Sequence, residues 1–170
     1  MRRWWGRPAP GPLRLRAAPP GSAPWKFRPV VRHFAPFPMH PRLLSHTPTL
    51  TIQYDPVNEC LLARWSSEQT LGSLRAGYTL LLEKMQCHAC SRLLDDHRQL
   101  HLLWADLADW FGTTWAPRAR QAGLTAHAVV YARYFFARSS TELALRRVRG
   151  SGLTAGFDTE EAALRALLTA

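Results

Sequence analysis

Leu50-Thr51-Ile52-Gln53-Tyr54 alternates apolar and polar side chains and is rich in β-branched and aromatic residues, which is the period of a half-buried strand. Asp55-Pro56-Val57-Asn58 supplies turn chemistry, so Cys60 to Trp65 reads as the returning arm of a hairpin. Outward from that hairpin the period changes. Ser66 and Gln69 form an S-x-x-Q capping box, and Leu71, Leu74, Tyr78, Leu81 and Met85 recur on one helical face. Ser91 to Asp96 is a short apolar run ending in acids, the pattern of a buried strand. Leu100, Trp104, Leu107, Phe111 and Trp115 make a second helical stripe, with Pro117 as its expected stop and Gly123 as the cap of the following turn. Ala126 to Ala132 reads as a strand. Ser139 with Glu142 starts a basic helix ended by Gly150-Ser151-Gly152, Leu153 to Phe157 is a brief strand, and Asp158 caps a last helix with Glu161 at its third position. The expected order is β-β-α-β-α-β-α-β-α. A hairpin followed by alternating strands and helices implies an α/β fold with a single mixed sheet and helices packed on it.

The 170 residues carry 22 Lys and Arg against 12 Asp and Glu, a net charge of +10. The excess is local. Nine of the cations and none of the acids precede Thr49, and 13 cations face 12 acids from there on. Residues 1–48 also hold 11 of the 13 prolines. Proline removes backbone donors and the stretch has no apolar period, so a disordered basic tail is expected over 1–48 and one folded domain over 49–170. Arg, Pro, Ala, Gly and Trp are residues of GC-rich codons, and Met39 is an alternative start. If the tail is translated, its cations interleaved with Trp and Phe suit nucleic acid or an anionic surface. No stretch reaches about 20 apolar residues, so no membrane span is expected. Three cysteines are too few and too odd for a disulfide scaffold, which points to a reducing, cytoplasmic setting.

Tyr54-Asp55, Trp65, Gly77-Tyr78, Leu93-Leu94-Asp95-Asp96-His97-Arg98, Trp110, Trp115, Pro117-Arg118-Ala119, Ala122-Gly123-Leu124 and Phe157-Asp158 occur in that succession. In this the chain resembles the STAS/SpoIIAA-like domains of Bacteroidetes over residues 49–170. The resemblance implies a SpoIIAA-like mixed sheet and regulation or binding without catalysis, from which a regulatory or scaffolding module is expected, and no cofactor is expected. It also implies, in anti-sigma-factor antagonists, a phosphorylated Ser after the third strand. The matching stretch here, Asp95 to Gln99, has no Ser or Thr.

Asp95, Asp96, His97 and Arg98 fall where α/β sheets present ligands, outside the carboxyl ends of strands. With Trp110, Trp115 and Arg118 they are the candidate contacts for a protein partner or an apolar small molecule. Asp96 is also placed to cap the next helix and to pair with Arg98 or Arg118. Tyr134-Phe135-Phe136 is the expected exposed aromatic patch. The competing chemistry is a metal or redox site on Cys87, Cys90, His97 and His101, since thiolates and imidazoles are zinc ligands. Its spacing counts against it, because six residues separate Cys90 from His97 where a zinc finger has about 12. No G-x-S-x-G, Gly-rich phosphate loop or H-E-x-x-H supports an enzyme. The partner and the oligomeric state are not legible.

Overall fold

The computed structural model describes residues 40–148 and 154–170. The expectations for residues 1–39, including the Met39 start, and for the Gly150-Ser151-Gly152 stop lie outside them. Six strands form one sheet in sequential order: β1 (Arg42–His46), β2 (Leu50–Asp55), β3 (Cys60–Trp65), β4 (Arg92–Asp96), β5 (Ala126–Val130) and β6 (Thr154–Phe157). The first three pair antiparallel, and β3 to β6 pair parallel. The α/β class, the mixed sheet and the alternation of strand and helix after the hairpin are as the sequence predicts.

One strand falls inside the segment expected to be a disordered tail. β1 lies within residues 1–48, so the folded region includes Arg42–His46 and the boundary at Thr49 is too late. Pro41 and Pro48 hide it, because they flank Leu43 and Leu44 closely enough to make the stretch look like a continuation of the proline-rich segment. As an edge strand it tolerates such neighbours, and its register slips between Leu43 and Ser45, a bulge of the kind that blunts sheet edges.

The helices between the parallel strands share one face. α1 (Leu71–His88) connects β3 to β4. A helical run connects β4 to β5 through a 3-10 turn (Ala105–Leu107), α2 (Ala108–Trp110), a π turn (Phe111–Trp115) and α3 (Ala116–Gln121). α4 (Phe135–Arg147) leads towards β6. Neighbouring parallel strands laid down in one direction with right-handed crossovers place every crossover on the same side. Accordingly Leu61, Ala63, Trp65, Leu93 and Val129 share a core with Leu74, Tyr78, Phe111, Trp115, Ala137 and Ala144. The opposite face, with Cys60, Leu62, Leu94, Ala128 and Val130, is covered by Ala163 and Leu167 of α5 (Glu160–Thr169).

The helix starts differ from the sequence pattern in instructive ways. Thr70, not Ser66, caps α1, in a reciprocal box with Ser73. Ser66 and Gln69 instead bond to the carbonyls of Pro48 and Thr49, fastening the loop to the start of β2. Leu100 and Trp104 are buried but precede the helical run, which then continues through Pro117 to Gln121. The π turn explains the passage: the Ala116 N–H reaches back to the Phe111 carbonyl, and the widened turn accommodates a ring that would clash with a regular α turn. Gly123, at φ 100°, ends the run as expected. α4 begins at Phe135, so Ser139 lies inside it. Thr159, one residue beyond Asp158, caps α5 by accepting from the Ala162 N–H at 3.2 Å.

α1 lies tight against the sheet at Gly77, where an added Cβ would stand 2.5 Å from the Trp65 ring. Gly77→Ala is therefore expected to lower stability by about 1–3 kcal/mol, the usual cost of overpacking, and urea denaturation measures it.

Candidate functional site

The alternation of side chains along a strand sends Asp95 and Asp96 to opposite faces of β4. Asp95 enters the larger core, where it is fully buried. Trp65 Nε1 donates to its Oδ1 at 2.6 Å and Tyr78 Oη donates to its Oδ2 at 2.8 Å. Nε2 of His127 lies 3.1 Å and Nε2 of His97 3.3 Å from the same Oδ2. His97 also lies 3.0 Å from Thr141 Oγ1 on α4 through Nδ1, and 3.1 Å from Tyr78 Oη through Nε2. Burial by itself would raise the Asp95 carboxyl, but the ion pairing and hydrogen bonds of His97 and His127 outweigh it and hold the group well below the usual carboxylate range. Burial, and then the Asp95 charge, push the Tyr78 hydroxyl up. Trp104, Phe111 and Trp115 ring this cluster, and Trp115 Nε1 donates to the Tyr78 carbonyl at 2.8 Å. The arrangement has no face open to solvent: Asp95, His97 and His127 are all buried.

Asp96 turns to the other side, the side of α5. It accepts from the Arg98 backbone N–H at 3.0 Å and from the Arg98 guanidinium at 2.9 and 2.7 Å. Asp96 thus closes a turn onto Arg98 and caps no helix. Glu160, at the start of α5, pairs with both Arg98 and Arg64. The bonds to Asp96, and after them the charges of Asp96 and Glu160, raise the Arg98 guanidinium still further above its ordinary range. Arg64, Asp96 and Arg98 border a surface cavity of about 370 Å³, which Trp65, Gln99 and Arg133 also line.

The remaining candidates are dispersed. Trp115 is buried, and Trp110 is half-buried under the Arg75 guanidinium, 5.1 Å from its ring. Arg118 is exposed and borders a different, smaller cavity with Thr79, Glu83 and Gln121, so it does not meet Asp96. Cys87 is exposed and Cys90 is buried, its thiol 3.4 Å from the Arg92 carbonyl. Burial raises the Cys90 thiol and pushes the Cys60 thiol up to about 12, which makes both poor nucleophiles. His97 is engaged through both ring nitrogens and His101 packs on Tyr134, 5.5 Å between centroids. Among the described residues no three His, Cys, Asp or Glu side chains converge as a metal site.

Several participants escaped the sequence reading: Tyr78 and Trp65 look like ordinary core aromatics, His127 like a strand interior, and Arg64, Arg133 and Glu160 like solvated charges. The parity of Asp95 and His127 in their strands, continued to His97 just past the end of β4, is the available signal.

The chain matches no family model, no curated protein and no solved structure.

Folding lowers the proton affinity of Asp95, so the unfolded chain holds that proton more tightly and stability falls as pH drops below about 4. Asp95→Asn is expected to cost about 3–5 kcal/mol at pH 7 and to flatten that acid limb, as read by urea denaturation across pH 2–7.

Proposed function

We propose that the domain is a non-catalytic regulatory or scaffolding module that docks a protein partner through an aromatic surface at the start of α4. The supporting observation is a cluster of large apolar side chains left in solvent: Tyr134, Phe135 and Phe136 are 42%, 70% and 50% exposed. They touch one another, with centroids 5.6 Å apart for Tyr134 and Phe136 and 5.5 Å for Phe135 and Phe136. His101 packs on Tyr134, and Leu103, two residues further on, is exposed as well. Contiguous exposed aromatics with arginines beside them, here Arg133 and Arg138, are the composition of partner-binding surfaces.

The same geometry favours a protein over an apolar small molecule. Two apolar-lined cavities among the described residues, one beside Ala128 and Phe157 and one beside Leu50 and Leu80, are about 190 and 160 Å³, under the roughly 300 Å³ where small-molecule pockets begin. The absence of catalysis is supported by the closure of the Asp95 cluster, whose acid and imidazoles reach no solvent-facing surface. A binding role agrees with what the resemblance to SpoIIAA-like domains implies.

Immobilised full-length protein is expected to retain a partner from cell extract that a Phe135→Ser, Phe136→Ser double variant of unchanged melting temperature retains at least tenfold less. Equal retention by both proteins, or by neither, counts against the reading.

A further inference from the structure

Three successive parallel strands deliver a guanidinium to one cavity at their carboxyl ends. Arg64 is the penultimate residue of β3, Arg98 follows β4 by two residues, and Arg133 follows β5 by three. All three line the 370 Å³ cavity, together with Trp65, Asp96 and Gln99. Two carboxylates accompany them, Asp96 and Glu160, and both are already committed. Asp96 takes Nε and Nη2 of Arg98, and Glu160 takes Nη2 of Arg98 and Nη2 of Arg64. Arg64 Nη1 donates to Gln53 Oε1 at 2.6 Å. Among the described residues Arg133 has no ion-pair or hydrogen-bond partner for its side chain, and Nη1 of Arg98 has none either.

The consequence is a pocket with one cation in excess and with unused guanidinium donors arriving from two different strands. Arg98 is held in place by its bonds to Asp96, so its free edge is pre-organised, and a ligand does not have to order it. Arg133 is exposed and lines the same cavity as Arg98. Guanidinium donors match oxyanions in geometry and charge. A carboxylate, with two oxygens and one charge, is matched by a single arginine. Two arginines lining one cavity suit a phosphate group, which offers three terminal oxygens and between one and two charges near neutral pH. The volume exceeds what the phosphate alone would fill and lies in the range of small-molecule sites.

We propose that the cavity between Arg98 and Arg133 is a binding site for a small molecule bearing a phosphate group. The site adjoins the aromatic docking surface and shares Arg133 with it, but does not rest on that reading.

The test is titration of the full-length protein with inorganic phosphate at low ionic strength, followed by the amide and guanidinium resonances or by calorimetry, with acetate as the second probe. Arg133→Ala removes a side chain that pairs with none of the described residues, so the fold is expected to persist and phosphate affinity to fall at least tenfold. Arg120→Ala, which removes an equally exposed charge outside the cavity, should leave it unchanged. Both variants keep the basic N-terminal segment, so anion binding by that segment is common to all three proteins and cancels. Acetate should bind at least tenfold more weakly than phosphate. The proposal is overturned by no saturable phosphate binding in the parent protein, by equal affinity in the parent and Arg133→Ala, by equal losses in Arg133→Ala and Arg120→Ala, or by acetate binding as well as phosphate.

Discussion

The fold is organised around one buried carboxylate. Removing Asp95 from water is costly, and its position is tenable only because donors from separate elements converge on it: Trp65 from β3, Tyr78 from α1, His97 from the end of β4 and His127 from β5. His97 carries the network on to Thr141 of α4, and Trp115 joins it through the Tyr78 carbonyl. Three strands and the helices on the larger face are thereby tied to a common point. An apolar centre could be repacked with small shifts, whereas a slip of β4 by one residue that put Leu94 at the place of Asp95 would leave Trp65, Tyr78 and His127 buried without an acceptor. The abundance of aromatic side chains follows from the same constraint. Tyr and Trp supply both packing volume and a polar edge, and two of the indoles spend that edge within the network or next to it. Trp104 does not: its Nε1 is buried without a partner, at a cost of about 1–3 kcal/mol that its packing against Tyr78, His97 and Phe111 must offset.

The closure of this centre separates structure from function within four consecutive residues. Asp95 to Arg98 looks, in sequence, like one polar loop at a strand end. In the fold the odd-numbered members, Asp95 and His97, belong to the core, and the even-numbered ones, Asp96 and Arg98, belong to the surface cavity beside α5. The grouping by proximity in sequence joined two unrelated sites, and strand periodicity alone separates them.

What the residues revealed well was the order of elements and the sheet class, because each rests on a periodicity several residues long. The hairpin at Leu50–Trp65, the helix at Leu71–His88 and the terminal Glu-Ala helix all stand where their patterns place them. What they concealed depends on single residues in competition. Ser66 and Thr70 are both competent caps, and only the position of the Pro48 carbonyl decides between them. Pro117 is a helix breaker in isolation, but a π turn upstream removes the clash. Leu43 and Leu44 are too few to show a strand, and β1 exists because β2 offers a free edge to pair with. The candidate site suffered most, since Arg64, Arg133 and Glu160 converge from positions up to 96 residues apart and none of them is unusual alone.

Charge shows the same contrast between global and local quantities. Nine of the ten net positive charges are carried by residues before Thr49, and the remainder of the chain, at 13 cations against 12 acids, is nearly neutral. A neutral total does not make a neutral surface. Asp96 and Glu160 each satisfy arginines at the carboxyl edge of the sheet, but three guanidinium groups meet two carboxylates there, and the imbalance is concentrated in a cavity instead of being spread over an exposed face. A single uncompensated charge in open solvent is screened within about 8–10 Å, whereas the same charge in a concave site, with its neighbours fixed by ion pairs, acts on whatever enters. The local arithmetic at the strand ends therefore carries more information about ligands than the charge of the whole chain.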